Sequence, residues 1–208
     1  MKEAQAHNNL GILYKDKKQY WKAIEEYKKA LEINPRLDQA WDNLGIVYLN
    51  IGNFQDAISA YKKAIEINPG NARACNNLGI AYDKRGDYEE ALEEYKKAIG
   101  LDPNLGEAHY NLGVVYGVLD RLDDSIKELK KAIELDFADS NTHFNLALSY
   151  KKKEMIEEAI SEYKRALELD PQFAEAHYNL GMLYNERGEK PEALLELEEF
   201  VKLTGHRM

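Results

Sequence analysis

Four histidines and six asparagines recur in this sequence at multiples of thirty-four residues, and theirs is the chemistry to be explained first. His7, His109, His143 and His177 stand in register with one another. Imidazole ligates metals and moves protons near neutral pH, so a column of histidines raises both readings. Metal binding needs ring nitrogens about 2.0 to 2.1 Å from one ion. Equivalent positions of a repeated helical unit are separated by a packing distance of at least about 8 to 10 Å. The column therefore reads as a packing position, with a pH-responsive row at His109, His143 and His177 as the alternative.

No other arrangement promises catalysis. There is no phosphate-binding glycine loop, no His-Glu-x-x-His, no Gly-x-Ser-x-Gly and no Cys-x-x-Cys. Adjacent acids such as Asp123-Asp124 and Glu93-Glu94 lie about 100° apart around a helix and read as solvated charge, not as a facing carboxylate pair. The sequence is thus expected to be no enzyme and to need no cofactor or metal. Formal charge is -9, from 28 basic and 37 acidic residues, which repels a phosphate backbone and argues against nucleic acid as a partner. The run Lys151-Lys152-Lys153, followed at once by Glu154, reads as a solvated face. No apolar stretch approaches the roughly 20 residues of a bilayer span, and nothing resembles a secretory signal. With Cys75 the single cysteine, a reducing, cytoplasmic location is the default expectation.

The elements that position these side chains follow from the period. Rows from 4–37, 38–71, 72–105, 106–139, 140–173 and 174–207 align without a gap, as one array over residues 4–207. Slot 7 is leucine and slot 11 tyrosine in every row; Leu44 and Tyr48 are examples. Slot 8 is small throughout, from Gly11 to Gly181 with Ala147 the exception to glycine, as expected where two helix backbones approach closely. Apolar residues spaced three and four apart, as in Ala57, Ile58, Tyr61, Ala64 and Ile65, form a helical stripe. Each row therefore holds two helices. Gly52, Gly86 and Gly188 at slot 15 can end the first, and the proline of slot 32, absent only from rows four and six, stops the second. Glu25 with Lys29 and Glu93 with Lys97 are spaced for i to i+4 pairs.

Row two carries Trp41, Leu44-Gly45, Tyr48, Ala57, Tyr61, Ala64 and Pro69, and in this it resembles the tetratricopeptide repeat family, as the other rows do over 204 of 208 residues. The resemblance implies an all-α fold, a right-handed superhelical solenoid of stacked helix-turn-helix repeats in which first helices line a concave groove. It also implies that stability comes from neighbour stacking. Row four departs most, with Gly117, Asp120, Ser125, Leu129 and Phe137, and is the expected weak joint.

In that family slots 2, 5, 6, 9, 12 and 13 face the groove. Slot 6 holds Asn9, Asn43, Asn77, Asn111, Asn145 and Asn179, although asparagine is a poor helix former. An amide can pair with the backbone of an extended ligand without reading its sequence; alternatively it bonds one first helix to the next. The ladder looks like that of the O-linked N-acetylglucosamine transferases and some motor adaptors. Slot 9 adds an apolar line that includes Val114, Leu148 and Met182. Slot 5 is polar early, with Asn8, Asp42 and Asn76, and aromatic late, with Tyr110, Phe144 and Tyr178 as candidate ligand anchors. Members that clamp carboxylate tails carry basic residues and amides at slots where only Asn43 and Arg73 fit here, which argues against such a ligand.

The last row lacks a polar outer face, with Leu195 at slot 22 and Phe200 at slot 27. Either a further helix follows in a longer parent chain, or this surface docks on another copy or on a partner, with these two residues and Trp21 as the candidates for self-association into a homo-oligomer. The function expected is a non-catalytic interaction scaffold or adaptor holding a protein or peptide in its groove. A self-assembling structural scaffold is second, and a substrate-recognition arm of a larger enzyme such as a glycosyltransferase is third.

Overall fold

A computed structural model describes residues 2–205. Among these residues run twelve α-helices and no strand. The first three rows contribute α1 (Lys2–Asp16), α2 (Tyr20–Ile33), α3 (Asp38–Asn50), α4 (Phe54–Ile67), α5 (Ala72–Arg85) and α6 (Tyr88–Leu101). The last three contribute α7 (Gly106–Val118), α8 (Leu122–Glu134), α9 (Ser140–Lys152), α10 (Ile156–Leu169), α11 (Ala174–Glu186) and α12 (Lys190–Gly205). Two helices fall in each row, as the period requires; positions 206 and 207 of the sixth row lie outside the described residues. The chain divides into two compact units, Met1–Ala108 and His109–Met208. Each unit is built of antiparallel helix pairs.

Every first helix ends in one geometry, though glycine occupies the turn in only three rows. Gly52, Gly86 and Gly188 take φ of 76°, 93° and 79°; Lys18, Asp120 and Glu154, at the same slot, take 56°, 60° and 61°. The following N–H closes onto the carbonyl of the slot-11 tyrosine each time, from Gln19 to Tyr14 at 2.9 Å through Met155 to Tyr150 at 3.0 Å. That bond satisfies a carbonyl the helix end would leave bare, and it recurs whether or not glycine is present to make the turn cheap.

In the four rows with proline, second helices stop immediately before an extended slot 31, with φ of -137° at Asn34 and -136° at Asp170, as a following proline demands, whereas α12, without one, runs on to Gly205. Row four has Phe137 instead. There α8 ends at Glu134, Asp136 turns left-handed at φ 61°, and the Phe137 N–H bonds back to the Ala132 carbonyl at 3.0 Å. In this row α8 closes itself by the turn that the first helices use.

The core of each repeat explains the small residue at slot 8. A Cβ on Gly45 would stand 2.6 Å from the Tyr61 ring, and one on Gly11 2.4 Å from Tyr27. The close approach is therefore between a helix backbone and the slot-24 ring, not between two backbones as expected. Tyr27, Tyr61, Tyr95 and Tyr163 are fully buried at that slot, each worth about 1.5 to 3 kcal/mol of apolar burial. Successive repeats then share cores: Ile24, Tyr27 and Leu31 cluster with Ala40, Leu44 and Val47 in the first unit, and Ile160 and Tyr163 with Ala176, Leu180 and Leu183 in the second. On the surface Lys29 reaches Glu25 at 2.6 Å as its spacing predicts, whereas Lys97 turns to Glu94 at 2.6 Å, not to Glu93.

Candidate functional site

The four aligned histidines make no metal cluster; among the described residues no group of His, Cys, Asp and Glu is placed to hold an ion. Each clasps a glutamate nineteen residues on, at slot 23 of its own repeat. The Nδ1 of His7, His109 and His177 stands 2.6 Å from an oxygen of Glu26, Glu128 and Glu196, and that of His143 stands 2.7 Å from Glu162. The ring donates and the carboxylate accepts, which joins the two helices of a repeat across their buried seam. The bond to His7 holds the Glu26 carboxyl below its usual range, with Lys29 helping. The packing reading of slot 4 is thereby made specific, and the signal was in the sequence: slot 23 is acidic in every row except the second, where Ala60 accompanies Trp41. At that repeat Trp41 donates to the Pro35 carbonyl at 2.9 Å instead. An open cavity of about 550 Å³ is left there, lined by Leu31, Trp41, Leu44, Tyr48 and Ala60.

The asparagines of slot 6 line the face of the first helices that the second helices leave uncovered. Asn9 is exposed and Asn43, Asn77, Asn111, Asn145 and Asn179 are half-buried. Three of these amides donate to slot 5 of the preceding repeat: Asn43 to Asn8 Oδ1 at 3.2 Å, Asn77 to Asp42 Oδ1 at 3.4 Å, Asn145 to the Tyr110 hydroxyl at 3.3 Å. Asn145 also bonds the backbone carbonyl of Asn141 one turn back at 2.9 Å, and Asn179 that of Glu175 at 2.8 Å. Asn43, Asn77 and Asn145 thus donate to the preceding repeat, and Asn179 donates within its own helix.

Slot 5 differs between the units. In the first, Asn8 and Asn76 are sealed, 1% and 2% exposed, so two of the three early polar positions present nothing to a ligand. Asp42 is half-buried, and burial raises its carboxyl above the ordinary range against the bond from Asn77. In the second unit Tyr110 and Phe144 are half-buried and Tyr178 is 43% exposed. Each ring leans on another from its own repeat: Tyr110 on Phe137 with centroids 5.4 Å apart, Phe144 on Phe173 at 4.7 Å, Tyr178 on Phe200 at 5.2 Å. Beside them Val114, Leu148 and Met182 of slot 9 are half-buried. In the second unit the first helices thus carry partly buried aromatic and aliphatic side chains at slots 5 and 9 beside the slot-6 amides, each ring in contact with a second ring of its own repeat.

Other sequence readings shift. The run Lys151-Lys152-Lys153 is no free face: Lys151 bonds Asn179 at 3.2 Å, Lys152 bonds the Gly117 carbonyl at 2.9 Å, and Lys153 pairs with Asp123. Glu94 is half-buried and ion-paired with Lys97, not solvated. Of the self-association candidates, Trp21 and Leu195 are exposed at 75% and 66%, while Phe200 is half-buried against Tyr178. Cys75 is buried, and burial raises its thiol. Among the described residues no helix is long and apolar enough to cross a membrane.

Similarity to known proteins agrees with this geometry. The profile of a tetratricopeptide-repeat family, "Cilia and flagella-associated protein 70 C-terminal domain", matches residues 1–206. The crystal structure of MamA is similar at 28% identity and a TM-score of 0.73, covering 79% of this chain and 96% of that one. YrrB, described as a TPR protein with an unusual peptide-binding site, is 26% identical with a TM-score of 0.71 over 88% of this chain and 94% of that one. PilF of Pseudomonas aeruginosa, at 22% identity, shares the fold, with a TM-score of 0.86 over 98% of this chain and 93% of its own. No curated protein sequence matches.

Proposed function

Because the chain belongs to the tetratricopeptide-repeat family of the cilia and flagella-associated protein 70 C-terminal domain, a fold of protein interaction, we propose that it is a non-catalytic scaffold whose first-helix face holds a peptide segment of a partner protein. The observation that carries this reading is the wall formed in the second unit by Tyr110, Phe144 and Tyr178 beside Val114, Leu148 and Met182. Partly exposed aromatic rings already braced by neighbours lose little freedom on binding, and aromatic anchors of that kind dominate binding energy. The slot-6 amides lie alongside: Asn145 donates within the fold, which leaves its carbonyl oxygen to accept a backbone N–H from a guest. YrrB supports the reading by likeness, as a relative described as binding peptide. A single buried cysteine suits a cytoplasmic setting.

The test is selection of binding peptides from a displayed random library, followed by calorimetric titration. Replacing Tyr178, the most exposed of the rings, by alanine is expected to weaken a selected peptide by about 1 to 3 kcal/mol with the helical signal unchanged. A Tyr178→Ala variant, supported by a Leu148→Ala variant, that binds every selected peptide at full strength would remove this face from the function.

A further inference from the structure

The faces of α1 and α12 that the rest of the chain leaves uncovered carry the two halves of the junction that joins successive repeats within each unit. Inside a unit, slots 21, 24 and 28 of one second helix meet slots 3, 7 and 10 of the next first helix, as Ile24, Tyr27 and Leu31 meet Ala40, Leu44 and Val47. On α12 the same slots hold Leu194, Leu197 and Val201. Leu194 and Val201 are 59% and 63% exposed, and the three residues line an apolar groove with Glu198 and Lys202. On α1 the complementary slots hold Ala6, Leu10 and Leu13; Leu10 and Leu13 are 43% and 58% exposed, where Leu44 and Val47 are 3% and 0%. Each open face is apolar at the slots where an internal junction is apolar.

Charge makes the match specific. Slot 25 is lysine in five rows and Glu198 in the sixth; slot 19 is acidic in five rows and Lys22 in the first. Within the units the slot-25 lysine lies over the slot-11 tyrosine of the next repeat: Lys62 is 5.5 Å from the Tyr82 ring, and Lys130 and Lys164 are 5.6 Å from Tyr150 and Tyr184. Lys130 also feels Glu162 and Glu158, the slot-23 and slot-19 carboxylates of the repeat it covers. On α1 the cation above Tyr14 is Lys22 of its own repeat, at 5.5 Å. A glutamate arriving over Tyr14 would meet that lysine, while the slot-23 Glu26 is already held by His7 and Lys29. Lys164 likewise lies in the field of Glu196 and Glu189. The lysine that approaches an acidic repeat is thus replaced by Glu198 on one open face and an acid of that repeat by Lys22 on the other, so that the open faces suit one another better than either suits an internal repeat.

We propose that α12 of one copy stacks on α1 of a second copy in the register of an internal junction, with Leu194, Leu197 and Val201 against Ala6, Leu10 and Leu13 and Glu198 against Lys22. The contact is head-to-tail, so a dimer keeps one open face of each kind and association continues as concentration rises. It does not depend on the peptide-binding reading, and its assay contains no peptide.

Sedimentation velocity of the full chain and of two blocked variants tests it. Leu13→Asp closes the α1 face and Leu194→Asp closes the α12 face. Each variant alone is expected to sediment as a monomer, and their equimolar mixture as a dimer that grows no further. Glu198→Lys or Lys22→Glu alone should weaken wild-type association about fivefold, and the two together should restore it; these exposed substitutions keep the test valid if an apolar face tolerates aspartate poorly. A wild-type chain that stays monomeric, a Leu13→Asp variant that still self-associates, a mixture that does not pair, or a double reversal that restores nothing would overturn the proposal.

Discussion

The hydroxyls of Tyr27, Tyr61 and Tyr163 are sealed in the repeat cores with no hydrogen-bond partner. A buried polar group left unpaired costs about 1 to 3 kcal/mol. Tyr61→Phe is therefore expected to stabilise the first unit, by about 1 kcal/mol in urea unfolding; a loss of stability would show that the hydroxyl is satisfied after all. The ring itself is indispensable to its neighbour. Gly45→Ala drives a methyl to within 2.6 Å of the Tyr61 ring and should cost about 1 to 3 kcal/mol through overpacking, read in the same unfolding experiment. Two carboxyls give opposite pH responses in that unit. Glu26 is held below its usual range by His7 and Lys29, so its contribution is present at neutral pH and is lost as pH falls through that lowered value. Burial raises Asp42, so its ionisation opposes folding at neutral pH, and acidification through the raised value relieves the cost. Comparing stability at pH 7 with that below pH about 4, Glu26→Gln should lose less on acidification than the wild type, and Asp42→Asn should be more stable than the wild type only at the higher pH.

At the scale of the helix, period and residue type made most elements legible before any coordinates. Slots 7, 8 and 11 mark the first helix of a repeat because slot 8 meets the slot-24 ring of its own second helix, while slots 7 and 11 meet the second helix of the repeat before. Half of the first-helix turns were hidden, since Lys18, Asp120 and Glu154 take the left-handed conformation without glycine. The tertiary pairing of helices imposes it there, against a cost of about 1 kcal/mol for a side chain in that region. Glu154→Gly is accordingly expected to raise stability by up to that amount. The candidate site was legible by slot but not by state. Slot 5 reads as polar early and aromatic late, yet the sequence does not show that Asn8 and Asn76 are sealed and Tyr178 is open, because exposure follows from the tertiary surroundings of each repeat and not from the period. The His–Glu clasp was readable as a second column nineteen residues away, and needs two helices to be paired before it has meaning. Row four, expected to be the weak joint, loses the proline stop and closes α8 by a left-handed Asp136. Hydrogen exchange should be faster over Gly117 to Asp139 than over the third row, the chain ends excluded; equal protection would contradict a weak joint.

At the scale of the molecule the chain is two compact units of stacked helix pairs, with no arrangement of side chains among the described residues that would hold a metal. What distinguishes one unit from the other is chemistry: the first seals polar side chains under the slot-6 amides, and the second sets aromatic rings there. Binding should accordingly concentrate on the second unit. The most direct measurement is photo-crosslinking of a display-selected peptide to chains carrying benzoylphenylalanine at position 148, on the first-helix face, or at position 161, on the exposed side of α10. Crosslinking from 148 and none from 161 is the predicted result; peptide captured from 161 and not from 148 would contradict the account.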